Sequence, residues 1–497
     1  MAMTTVLDAP VDVVRTELFI AGESRSADRY LSIVDPARPD LVIGESAAAS
    51  EAQARAAVDA AGAAFPAWSA RTAKERADAM SAASSFLDPP PPDIIRLLTL
   101  ENGKIEFESM LDIADFGRLF QQTVALAAEM EEPTSFSTPF SSTTVERIPL
   151  GVVTIILPFN WPLAILGASL PLALLAGNTV VVKPPFSAPL ATVRAVERIA
   201  AALPPGVLNI VTGEDQVIGG PLIQNEAVAK VCFTGSVGAG RRIMAMAAQT
   251  LTRVTLELGG NDPALVLDDA NLDDATLDQL YGAVFASTGQ ICMAVKRIYV
   301  HRSRYGDVVD GLSERLGRVR LGHGLDSGTT MGPLHQRRQR DYVRQLVEEA
   351  AAHGTEVREF AELPDDPRLA GGHFLRPSLA LDPDQALPLV TEEQFGPTVP
   401  VIPYDREDDA VAAANSGWAG LGASVWSGDE ERGRRVARSL RAGYCWINAH
   451  GAPFIDRRAP FGGFRSSGMG REFGMEGVRE FMELRSATTV QHGAQHA

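Results

Sequence analysis

Cysteine is nearly absent. Three residues, Cys232, Cys292 and Cys445, are spread through 497, too few and too far apart for a disulfide framework, and they suit a reducing compartment. The eight histidines nowhere join cysteine at zinc-ligand spacing, so no metal is expected. Positive charge is also in deficit: 45 Lys and Arg against 62 Asp and Glu leave a formal net charge of −17. That balance excludes the basic face of a nucleic-acid binder. The N-terminus lacks a basic segment followed by an apolar one, so no secretory signal is read and a cytoplasmic protein is expected.

Between Arg147 and Lys183 there is no charged side chain at all. A bilayer is crossed by roughly 20 apolar residues, so a membrane span must be considered. Pro158, Pro162 and Pro171 interrupt the stretch, each removing a backbone donor, and it ends in "NTVVV", a β-branched run that prefers a strand. The better parse is a strand at 151–157, a turn at "PFNWP", a short buried helix to about Ala176 and a strand at 179–182. A strand apolar on both faces followed by a helix marks a parallel sheet covered on both sides. No membrane contact is expected.

The length calls for two or more domains. "SEAQ" at 50–53 matches a capping box and starts a helix, and "DPPPPD" at 88–93 stops one. Residues 150–260 then alternate strand and helix, which implies βαβ units. Residues 261–450 repeat the rhythm, with "ALVLDD", "KRIYVHR", "TVPVIPY" and "GASVW" as strands. The expected fold is α/β: two doubly wound α/β lobes with a cleft between them.

Several short motifs have a plain reading when taken singly. Cys292 in "GQIC" is a buried structural cysteine, Glu257 in "ELGG" a solvated strand end, and Asn160 in "PFNWP" a turn residue. "FTGSVGAG" is a Gly-rich turn entering a helix, a geometry that offers N–H groups to a phosphate, though its spacing is not GxGxxG. Together they are specific. "ENGK", "RIPLGVV", "PFNWP", "VVKP", "FTGS", "ELGG", "GQIC", "EEQFGP" and "PFGGFRSSGMGRE" follow one another along nearly the whole chain. In that order and spacing the sequence resembles the NAD(P)-dependent aldehyde dehydrogenase superfamily.

The resemblance implies a Rossmann-like cofactor domain at 1–127 and 149–258, a catalytic domain at 259–455, and a small β oligomerisation element at 128–148 and 476–497. It implies that Cys292 attacks an aldehyde to give a hemithioacetal, and that Asn160 and the Cys292 N–H hold the oxyanion. Hydride transfer to the nicotinamide then leaves a thioester, which water activated by Glu257 hydrolyses to the acid. Glu472 matches a proton-relaying carboxylate. Lys183 matches the residue at the adenosine ribose, Gly235 and Ser236 the pyrophosphate turn, Glu393 the nicotinamide ribose and Phe395 the packing at that end. Phe159, Trp161, Gly240 and Leu258 are further cofactor contacts. The chemistry suits these types: a thiol with a pKa of about 8.5 forms thioesters, and a shielded carboxylate makes a general base.

Two positions depart from the family pattern. Phe186 stands where many NAD-preferring members carry a ribose-binding Glu, which leaves NAD or NADP open, with the balance toward NAD. Ser169 stands where many carry a Lys near the base. Trp161, Ile165, Ala168, Ile291, Met293 and Phe454 are the expected substrate lining, all apolar, which points to a hydrophobic aliphatic or aromatic aldehyde. His450, after "WIN", reads as a surface histidine. The CoA-acylating branch typically lacks the glutamate of "ELGG", and a non-catalytic relative would be free to lose Cys292, Glu257 or Asn160; none is lost. "STTVERIP" (142–149) and "SATTVQH" (486–492) are the candidate strands for a homodimer or homotetramer.

Overall fold

The computed structural model describes residues 12–130 and 132–490. Among these residues two large sheets form. The first has eight strands in the order Gly468–Met469, Arg253–Glu257, Val228–Thr234, Val152–Ile156, Thr179–Lys183, Leu208–Ile210, Leu18–Ile20 and Glu23–Arg25. Its central five run parallel. The second has seven: Glu356–Glu359, Ser378–Leu381, Thr398–Tyr404, Val295–His301, Asp262–Val266, Gly422–Trp426 and Tyr444–Ile447. All but the first of these run parallel.

The uncharged stretch is core. Val152–Ile156 and Thr179–Lys183 are buried at every position and pair in parallel register. The helix between them, Pro162–Ala176, buries thirteen of its fifteen residues, which is why it is apolar all round. Each buried Leu there contributes about 1.5–3 kcal/mol. Asn178 is a structural amide: its Oδ1 accepts from Gly151 N at 2.9 Å, and its Nδ2 donates to Ala173 O at 3.1 Å and Phe481 O at 3.0 Å. Among the described residues no helix is long and apolar enough to cross a membrane.

The expected helix start at Ser50 is present, with Ser50 and Gln53 capping each other's backbone ahead of Glu51–Ser69. The proline run ends one helical segment at Leu87, and Pro92 opens the next, Pro92–Asn102. The sequence reading missed a hairpin, Arg29–Asp35 against Arg38–Ala48, which is joined by Val14–Thr16 in a three-stranded sheet.

Chain order crosses from one side of Val152–Ile156 to the other between Leu208–Ile210 and Val228–Thr234. The crevice beyond the carboxyl ends of the strands at such a switch point is where open α/β sheets bind ligands. Asn160, Lys183, Gly235 and Glu257 all sit at or just past those carboxyl ends. Four residues, Leu258 to Asn261, then carry the chain into the second sheet, so its amino ends face the same crevice. A second small sheet pairs Ser141–Pro149 with Met482–Val490 on one side and Thr134–Ser137 on the other, all antiparallel. Residues 491–492 of the candidate C-terminal strand lie outside the described residues, as do 1–11 of the expected cofactor domain.

Candidate active site

Cys292 sits in a turn that precedes the strand Val295–His301. The approach is left-handed, with Ser287, Thr288 and Gly289 at φ of 53°, 55° and 71°. Such backbone costs roughly 1–2 kcal/mol per non-glycine residue, and partners hold it in place. Ser287 N donates to Glu108 at 2.6 Å, and Thr288 Oγ1 to Gly332 O at 3.1 Å. Asn160 Nδ2 donates to Gln290 O at 2.9 Å, which ties the "PFNWP" turn to the cysteine turn.

The carbonyls of the turn are gathered by two buried side chains. Lys296 Nζ donates to Ile291 O at 2.7 Å, Cys292 O at 3.2 Å and Ala294 O at 3.4 Å. His450 Nε2 donates to Met293 O at 2.7 Å. A trans peptide points its C=O and N–H in opposite directions. Holding Ile291 O therefore turns the Cys292 N–H the other way, where it meets no acceptor among the described residues. Burial pushes the Cys292 thiol up to about 12, while the Lys296 ammonium acts in the opposite direction.

Two carboxyls share the interior nearby. Glu257 ends the strand Arg253–Glu257, and its Oε1 is buried without a hydrogen-bond partner. Desolvation and the neighbouring Glu472 raise its pKa well above the ordinary carboxylate range. Glu472 is itself raised to about 7, chiefly by burial, against a hydrogen bond from Ser169 Oγ at 3.1 Å.

The groups expected at the cofactor line the same crevice. Lys183 pairs with Asp215 at 2.6 Å. Ser236 caps the helix Val237–Ala247, accepting from Ala239 N, and Gly240 lies against Leu258. Glu393 accepts from Gly260 N at 3.3 Å and lies 3.8 Å from Lys296 Nζ. Phe159 stacks on His335 at 4.4 Å and meets the edge of Phe395 at 6.1 Å. An open cleft of about 300 Å³ between Val237, Arg241, Glu393 and Trp418 lies beside them. An ammonium–carboxylate pair for hydroxyls, a capped helix start for phosphate and a second carboxylate form a donor set that fits a dinucleotide.

A family model for the aldehyde dehydrogenase family matches residues 23–487. The chain belongs to the aldehyde dehydrogenase family. It is similar to betaine aldehyde dehydrogenase of Bacillus subtilis, 34% identical over 474 residues that cover 94% of this chain and 96% of that one. It is also similar to phenylacetaldehyde dehydrogenase of Pseudomonas fluorescens, 32% identical over 484 residues and 95% of each chain. Betaine aldehyde dehydrogenase of Staphylococcus aureus, solved in complex with NAD+, superposes with a TM-score of 0.91 at 31% identity over 97% of each chain.

Set in this family's α/β frame, the expected site residues divide. Cys292, Met293 and Ala168 share one apolar cluster with Leu119, Trp446, Ile455, Phe461 and Phe473. Ile165 packs instead against the large core, Phe454 is 43% exposed, and Ile291 is half-buried. Lys104 Nζ lies 4.3 Å from the ring centre of Trp161. His450 is a correction: it is buried, its ring tilted by 36° against Trp446 at 4.5 Å, and burial lowers its pKa to about 4, so it is neutral. The sequence reading passed over Lys296, whose one signal is a charge at the buried start of an apolar strand. It also passed over Arg457, which lies over Phe473 and is neutralised by Asp115 at 2.6 Å, and Ser467, whose Oγ donates to Gly259 O at 2.8 Å.

Proposed function

We propose that the chain oxidises a hydrophobic aliphatic or aromatic aldehyde to the carboxylic acid, with NAD as the cofactor. The observation that carries this reading is the turn of Cys292, with a free N–H and the Asn160 amide beside it, next to the buried Glu257 carboxyl, whose Oε1 has no partner. Lys296 favours the thiolate, which adds to the carbonyl carbon. Asn160 Nδ2 and the Cys292 N–H receive the oxyanion, each such donor being worth about 3 kcal/mol in the transition state. Bound nicotinamide supplies the hydride acceptor, and a thioester is left on Cys292. Glu257 takes a proton from the attacking water, and Glu472 passes it on.

Glu257 in this place supports hydrolysis over transfer to coenzyme A. The lining of Leu119, Ala168, Phe461 and Phe473 supports an apolar substrate, and Arg457, which lies over Phe473, is already paired with Asp115. NAD in the Staphylococcus aureus relative supports the same cofactor here. The exposed sheet with Phe136, Phe140, Leu484 and Val490 on its surface supports a homodimer or homotetramer. The cofactor, catalytic and oligomerisation segments read from the sequence are retained as the domain division.

The test is absorbance of reduced nicotinamide across a panel of aldehydes, with Cys292→Ala as control. A rise with benzaldehyde- or hexanal-like substrates that disappears in Cys292→Ala is expected. A much higher kcat/KM with short charged semialdehydes would overturn the substrate class, and a rise unaffected by Cys292→Ala would overturn the nucleophile.

A further inference from the structure

The position three residues beyond Lys183 holds no carboxylate: it is Phe186, 48% exposed. A carboxylate nevertheless reaches the same ammonium from another strand connection. Lys183 ends Thr179–Lys183, and Asp215 opens the helix Asp215–Ile223, which follows Leu208–Ile210. These two strands are parallel neighbours, so both side chains arise at adjacent carboxyl ends. Asp215 Oδ1 lies 2.6 Å from Lys183 Nζ. The lysine side chain is 5% exposed and the aspartate 66%, so the carboxylate is the part of the pair that a ligand meets.

We infer that Asp215 is the carboxylate that receives the adenosine ribose and selects NAD over NADP. The inference rests on the dehydrogenase reading above and concerns the same crevice. A ribose with free hydroxyls can donate to Asp215 and accept from Lys183, so both members of the pair gain a partner. A 2′-phosphate brings further negative charge, about −1.5 to −2 for a phosphomonoester at pH 7, against a carboxylate that already occupies the lysine. Two neighbouring charges offer it no relief: Glu214 is also acidic, and its carboxylate holds Arg29 at 2.8 Å.

The experiment is equilibrium titration of NAD and of NADP by quenching of intrinsic fluorescence, on wild type, Asp215→Ser, Asp215→Asn and Glu214→Gln, with melting curves to compare folding. Wild type is expected to bind NAD at least tenfold more tightly than NADP. Both Asp215 variants should shrink that ratio by tenfold or more, through weaker NAD and stronger NADP binding, while Glu214→Gln keeps it. A ratio changed less than twofold in both Asp215 variants, or a wild type that prefers NADP, overturns the inference and leaves the dehydrogenase reading standing. Absence of binding by either nucleotide, with no aldehyde oxidation by wild type, overturns both.

Discussion

The hydroxyl of Ser169 donates to Glu472 Oε1 at 3.1 Å, from the buried helix Pro162–Ala176 to a carboxyl more than 300 residues further along the chain (separation 303). It stabilises the ionised form of Glu472, against a burial that raises the group to about 7. A relay from Glu257 needs Glu472 ionised, and the ionised fraction grows as pH rises. Thioester hydrolysis also needs Glu257 ionised, which burial and Glu472 both resist, so it should climb with pH from near 7 upward. Ser169→Ala removes a hydrogen bond to a charged group, worth about 1.5–3 kcal/mol, so the climb should move roughly one to two pH units higher. Single-turnover hydrolysis followed from pH 5.5 to 9.5, roughly the span that brackets the shift, checks this. An unmoved profile would remove Glu472 from the proton path.

Glu257→Gln should separate the two halves of the reaction. The variant is expected to release one reduced nicotinamide per site and then stall, with steady-state turnover lower by about 10²-fold or more. Heat stability should change in the opposite sense. A carboxyl whose folded pKa is raised contributes stability that is complete below its unfolded pKa and is lost as pH rises through the folded value. Well above neutral pH the wild type carries that loss and the amide does not. A melting temperature at pH 8.5 that falls on substitution, or unchanged turnover, would show that Glu257 is neither strained by burial nor the base.

Lys296→Met removes three donors from the carbonyls of the cysteine turn and the cation that favours the thiolate. Alkylation of Cys292 by iodoacetamide should shift to higher pH. The first hydride transfer should slow by about 10- to 100-fold, the equivalent of one charge-assisted hydrogen bond. Stopped-flow bursts together with the alkylation profile test this. If both match wild type, Lys296 packs the turn without orienting it.

What could be read in advance was local. The uncharged stretch resolves into strand, turn, helix and strand because proline positions and β-branched runs are properties of neighbours in sequence. The motif order placed Cys292, Glu257, Asn160 and Lys183 together because Asn160, Lys183 and Glu257 end or follow parallel strands and Cys292 precedes one. The parts that escaped are contacts between distant residues. His450 reaches Met293 across a separation of 157 and Lys183 finds Asp215 from the next strand connection, neither of which leaves a periodic trace. The N-terminal hairpin escaped because Pro36 in its turn and Pro39 at the start of its second strand read as breaks.

The link between the two sheets has its own consequence. A Cβ on Gly259 would lie 2.1 Å from Glu393 Oε2, and one on Gly260 would lie 2.6 Å from Cys292 O. A methyl group at Gly260 would thus run into the Cys292 carbonyl, and one at Gly259 would push the Glu393 side chain aside. The crossing point between the sheets consequently also sets how close the Cys292 turn and Glu393 lie to this backbone. A drift between the sheets would therefore press directly on the Cys292 turn and on Glu393.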